Sequence, residues 1–122
     1  MANDYEVEEL DILDQDNRVW LVNNQAETIR QAAKLYGKEH QKVVAIEELS
    51  ELQKEICKDL RGIGDRKHIV EEIADVEIML TQLKEFYEVK GAELRSAKCG
   101  KLRRLKSRIL EKLRKKMGAT NG

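Results

Sequence analysis

Apolar residues recur along this chain at helical spacing. Ile29, Ala32, Ala33 and Leu35 lie in a stretch that opens at Asn24. Glu27 follows three residues later, a capping box, and Gly37 is a stop for this first helix. Ala45, Leu49, Leu52, Ile56 and Leu60 recur at spacings of 4, 3, 4 and 4. They predict a second helix over about 38–61, closed by Gly62. After the turn Gly62-Ile63-Gly64, Asp65 is an N-cap for a third helix over about 66–90. There Ile69, Ile73, Val76, Leu80, Leu83 and Tyr87 follow a 4-3-4-3-4 pattern, nearly a coiled-coil seam. Gly91 marks a break. A fourth helix over about 92–117 carries a narrow stripe of Leu102, Leu105, Ile109, Leu113 and Met117, weakened at Gly100.

Residues 1–23 show no such period. Seven acids lie between Asp4 and Asp16, and Arg18-Val19-Trp20-Leu21-Val22 reads as a short strand or a packed extended arm. The expected organisation is an acidic arm (1–23), a helical core (24–97) and a basic helical extension (98–122). The fold class is all-α, a four-helix bundle whose narrow seams invite pairing with a second chain.

Composition supports this picture. The chain has 122 residues, no proline, 38% charged and 4% aromatic residues, which argues against a β-sandwich or barrel. No apolar run approaches the ~18–20 residues of a membrane span. The acidic opening lacks the layout of a signal peptide. Two cysteines are too few for a disulfide scaffold or a four-cysteine zinc site. A soluble, cytoplasmic domain without membrane contact is the expectation. The zero net charge hides an asymmetry: residues 1–97 carry 13 basic and 22 acidic side chains, residues 98–122 carry 10 and 1. Uniform nucleic-acid coating of the body is thereby disfavoured, although the tail is able to touch phosphates.

The chemistry concentrates on the second and third helices. At 100° per residue Glu48 and Glu51 lie about 60° apart on neighbouring turns, and Glu72 and Asp75 repeat the arrangement. If the two helices pack antiparallel through their seams, Glu48, Glu51, Glu72 and Asp75 converge. Like charges so close repel and lose hydration, and a divalent cation offsets that cost. Oxygen-only ligands suit Mg²⁺, with Mn²⁺ as substitute, rather than Zn²⁺. The plainer alternative is a solvated acidic face.

Glu47-Glu48-Leu49-Ser50-Glu51, followed after 20 residues by Glu72-Ile73-Ala74-Asp75, resembles the EExxE…ExxD signature of MazG-like proteins. Those belong to the all-α nucleoside triphosphate pyrophosphatase superfamily. The resemblance covers about residues 24–90. It implies a helical module of that type, assembled as a homodimer or homotetramer. It also implies cleavage of the α–β phosphoanhydride of an NTP or dNTP to the monophosphate and pyrophosphate. By motif, Glu48, Glu51, Glu72 and Asp75 are the Mg²⁺ ligands. Glu47 ligates a second ion or positions the attacking water, and a neighbouring carboxylate, Glu47 or Glu48, accepts its proton.

Around these acids stand residues with two readings each. Lys54 and Lys58 either steady phosphate oxygens or pair with glutamates along the helix. Trp20 and Asn24 either form a base pocket or pack an arm and cap a helix, and Gln41 is placed to line the same cleft. His68 is one turn before Glu72, and a surface or capping role competes with contact at the metal. Cys57 is expected at the border of the core, with no base beside it. The competing function is a non-enzymatic helical module whose basic tail holds nucleic acid or an acidic partner.

Overall fold

Residues 4–121 are described by a computed structural model, with side chains from 12 to 118. Four helices follow one another: α1 (Asp4–Tyr36), α2 (Lys38–Leu60), α3 (Arg66–Phe86) and α4 (Gly91–Asn121). The all-α expectation holds, and no strand occurs among the described residues. The chain divides into two units, the first ending at Phe86 and the second beginning at Tyr87.

The expected irregular arm is corrected, since α1 runs as one helix from Asp4 to Tyr36. No glycine or proline interrupts that stretch. Arg18 pairs with Asp14 one turn back at 3.0 Å. Asn24 does not cap: its Nδ2 donates to the Trp20 carbonyl at 2.9 Å, and the Thr28 hydroxyl donates to the Asn24 carbonyl at 2.8 Å. Both side chains are absorbed in the interior of a continuous helix, so Arg18 to Val22 form neither strand nor arm.

Gly37 alone separates α1 from α2, with φ +90°. This left-handed backbone suits glycine. The turn after α2 is equally legible. The Gly62 amide donates to the Asp59 carbonyl and the Ile63 amide to the Lys58 carbonyl, a Schellman closure with Gly62 at φ +80°. Asp65 Oδ1 then accepts the Lys67 amide at 2.9 Å and caps α3 as expected. α3 ends at Phe86, earlier than its periodicity predicts, and Glu88 follows with φ +52°.

The seam between α2 and α3 differs from the one their apolar spacing predicts. On α2, Gln41, Ala45 and Glu55 are buried and Glu48 and Leu52 half-buried, whereas Leu49, Ile56 and Leu60 are exposed. On α3, Val76 and Gln82 are buried and Ile69, Glu72, Met79 and Phe86 half-buried, whereas Ile73 and Leu80 are exposed. Helical geometry puts the exposed strips of both helices on one side of the antiparallel pair. α1 lies elsewhere, against Ala74, Ile78 and Thr81 of α3.

α4 forms the second unit as a single helix through Gly100. Its Leu102, Leu105, Ile109, Leu113 and Met117 are exposed. No helix among the described residues is long and apolar enough to cross a membrane.

Candidate metal centre

α2 and α3 run antiparallel across the short turn at Gly62. Glu48 enters the seam from α2, and Glu72 and Asp75 enter from α3, one turn apart. One carboxylate oxygen of each lies within 4.8 Å of the others. Glu72 Oε2 is buried and has no hydrogen-bond partner among the described residues. An orphaned carboxylate oxygen in an interior is costly unless a proton or a cation meets it.

The electrostatics express the same cost. Partial burial raises the Glu48 pKa above its ordinary value, and the charges of Asp75 and Glu72 raise it further. Hydrogen bonds to those two carboxyls also favour its protonated form. Glu48 therefore holds a proton more tightly than an exposed glutamate does. A divalent cation relieves the same repulsion without one. The donor set is carboxylate oxygen alone, which fits a hard cation such as Mg²⁺ or Mn²⁺.

The other candidates fall around this cluster or away from it. Glu47 and Glu51 are exposed on α2, Glu51 one turn beyond Glu48 and outside the group of meeting oxygens. Lys54 is exposed and makes no ion pair among the described residues. Lys58 Nζ pairs with Glu55 Oε1 at 3.3 Å, in keeping with the helix-pair alternative. Gln41 is buried, its amide turned to Gln82 rather than to an open cleft. His68 Nδ1 lies 3.7 Å from Asp65 Oδ2, on the cap of α3. Cys57 is exposed and carries a free thiol.

Trp20 lines a cavity of about 460 Å³ between α1 and α3, with Gln25, Ile29, Ala74 and Ile78 among its other walls. Asn24 is not part of that lining, its amide being held by the Trp20 carbonyl. Sequence reasoning missed Gln82 and the burial of Glu55. The available signal was position: Gln82 lies three residues after Met79 and six after Val76, within the repeat of the true seam.

In comparisons with known proteins, the chain matches no protein-family model, no curated protein and no solved structure at a significant level.

Proposed function

We propose that the chain is a divalent-cation-dependent nucleoside triphosphate pyrophosphohydrolase of the MazG-like kind. The observation that carries this reading is the meeting of Glu48, Glu72 and Asp75, where Glu72 also has a buried oxygen with no hydrogen-bond partner among the described residues. The motif resemblance supplies the substrate class.

Glu48, Glu72 and Asp75 would hold Mg²⁺ or Mn²⁺, with Glu51 as the fourth acid of the motif. The ion supplies charge neutralisation, without which the acids would repel a triphosphate. Glu47, exposed beside Glu48, is assigned the proton of the attacking water. One water is consumed, the α–β anhydride breaks, and a monophosphate and pyrophosphate leave. Trp20 is assigned to the base because its cavity offers an apolar face for stacking.

The test is a panel of NTPs and dNTPs with Mg²⁺, read by product identity. Monophosphate and pyrophosphate from a single cleavage are expected. Diphosphate and orthophosphate would mean attack at the γ-phosphate and would discard the MazG-like reading.

Association belongs to the same proposal. The strip of Leu49, Ile56, Ile73 and Leu80, each between 43% and 47% exposed, is a surface for a second copy. Light scattering at micromolar concentration is expected to give two or four times the 14.1 kDa chain mass. A folded monomer at that concentration would remove this part.

A second reading has its own observation. α4 exposes ten cations and one acid between Lys98 and Met117, around a thin apolar stripe. A non-enzymatic module would bind nucleic acid or an acidic partner there. Salt-sensitive nucleic-acid binding, lost when residues 98–122 are removed, together with an inert nucleotide panel, would favour it.

A further inference from the structure

One heptad from the carboxylates lies a buried pair of amides. Gln82 is 2% exposed and Gln41 is 5% exposed. Gln41 Nε2 donates to Gln82 Oε1 at 3.0 Å, and Gln82 Nε2 donates to the Ile29 carbonyl at 3.1 Å. His40 Nδ1 lies 3.1 Å from Gln41 Oε1. A chain of side-chain amides thus joins α2 to α3 and α3 to α1.

Polar pairs of this kind add little to stability beyond what an apolar layer would give. Their distinctive effect is to discriminate between registers. The apolar seam here cannot do that alone. Ala45 and Leu52 of α2 are seven residues apart, as are Ile69, Val76 and Leu83 of α3. Sliding α3 by one heptad would therefore keep apolar residues facing apolar residues. The turn absorbs such a slide by moving about one helical turn from one helix to the other.

Glu48 does not keep Glu72 and Asp75 in the slide. Glu48 stands seven residues after Gln41, and Asp75 seven before Gln82. The amide pair and the acid cluster are consecutive layers of one antiparallel register. Sliding α3 one way sets Glu48 opposite Gln82 and puts Glu55, already paired with Lys58, opposite Asp75; the other way sets Glu48 opposite His68. In both cases Gln41 and Gln82 lose each other within the interior.

We infer that Gln41 and Gln82 are positioning residues, whose buried amide pair selects the register in which Glu48 meets Glu72 and Asp75. The register stands on the hydrogen bonds alone, while its effect on cation binding rests on the metal reading proposed above. The test uses the full chain with Cys57 and Cys99 replaced by Ser and spin labels at Gln53→Cys and Lys84→Cys, both exposed positions. The parent is expected to give one narrow label distance. Gln41→Leu/Gln82→Leu is expected to add a second population displaced by about 10 Å, the rise of one heptad. Mn²⁺ affinity should fall about 10-fold with no drop in melting temperature. Gln41→Met/Gln82→Met, closer in length, is read the same way. A single unchanged distance in both variants overturns the inference, and so does loss of folding in both, which would make the pair a stability element. A parent that binds no Mn²⁺, with variants that still split their distance, would refute the metal reading and leave the register inference standing.

Discussion

Glu72→Gln is expected to lower pyrophosphate release by about 100-fold or more while the chain stays folded. Glu72 Oε2 is buried without a partner, so its lone pairs are free for a cation and for little else. An amide there keeps the shape and removes the charge, and its NH₂ offers hydrogens where a cation would sit. Glu48→Gln and Asp75→Asn are expected to act in the same direction, since their oxygens belong to the same cluster. Each substitution removes one of three repelling charges, so the cation-free protein should melt higher than the parent near neutral pH. Activity and melting temperature measured on the same samples separate a lost ligand from a lost fold. Near-normal turnover in two of the three variants would sink the assignment.

Mg²⁺ is expected to raise the melting temperature at pH 7.5 and to have little effect near pH 4.5. Glu48 has a folded pKa above its ordinary value of 4.5, from burial first and then from Asp75 and Glu72. The folded chain therefore holds a proton that the unfolded chain has released. Without a cation, this penalises the fold above the raised pKa. The penalty is relieved as pH falls through that value toward 4.5, because the folded state then binds the proton more tightly. A cation bound only by the folded chain acts at the high-pH end. At about 100 times its Kd it contributes roughly 2.7 kcal/mol, which is on the order of 5–15 °C for a domain of this size. Circular dichroism melts in EDTA and in Mg²⁺ at both pH values read the effect. Identical melts at pH 7.5 would mean that the acids hold no ion, and Glu48→Gln should flatten the cation-free pH dependence.

Helix existence and the turns were legible because glycine and capping chemistry act locally. Gly37, Gly62 and Asp65 each do in the structure what their residue type predicts. Three of the four expected acids meet, Glu48, Glu72 and Asp75, because their positions border the seam; Glu51, the other half of the α2 step, stays exposed outside it. The seam itself was not legible. Counting apolar residues favours Leu49, Ile56, Ile73 and Leu80, yet these are exposed and Gln41, Glu48, Glu55 and Gln82 face inward. The stripe that periodicity detects is the more hydrophobic side of each helix. The hairpin buries only part of that side, Ala45, Leu52, Ile69, Val76 and Leu83, and leaves Leu49, Ile56, Ile73 and Leu80 exposed. The arm failed for a related reason. Asn24 and Glu27 satisfy a capping pattern, but a cap forms only where the chain ahead of it is not already helical, and nothing between Asp4 and Tyr36 breaks the helix.

The single residue between α1 and α2 also bears on how copies of this chain interact with one another. Gly37 reverses the chain at φ +90°, a backbone that a residue with a Cβ adopts only under strain. With any such residue there, the relaxed alternative is to continue the helix, joining α1 to α2 in one rod from Asp4 to Leu60. In a rod of that kind α2 still packs on its own α3, but the α1 portion cannot fold back onto it. It can still bury Ile29 against the Gln82 of another copy, exchanging α1 between two chains. Gly37 is thus what lets α1 stay with its own hairpin, and a residue with a Cβ there is expected to favour exchange of α1 between two copies.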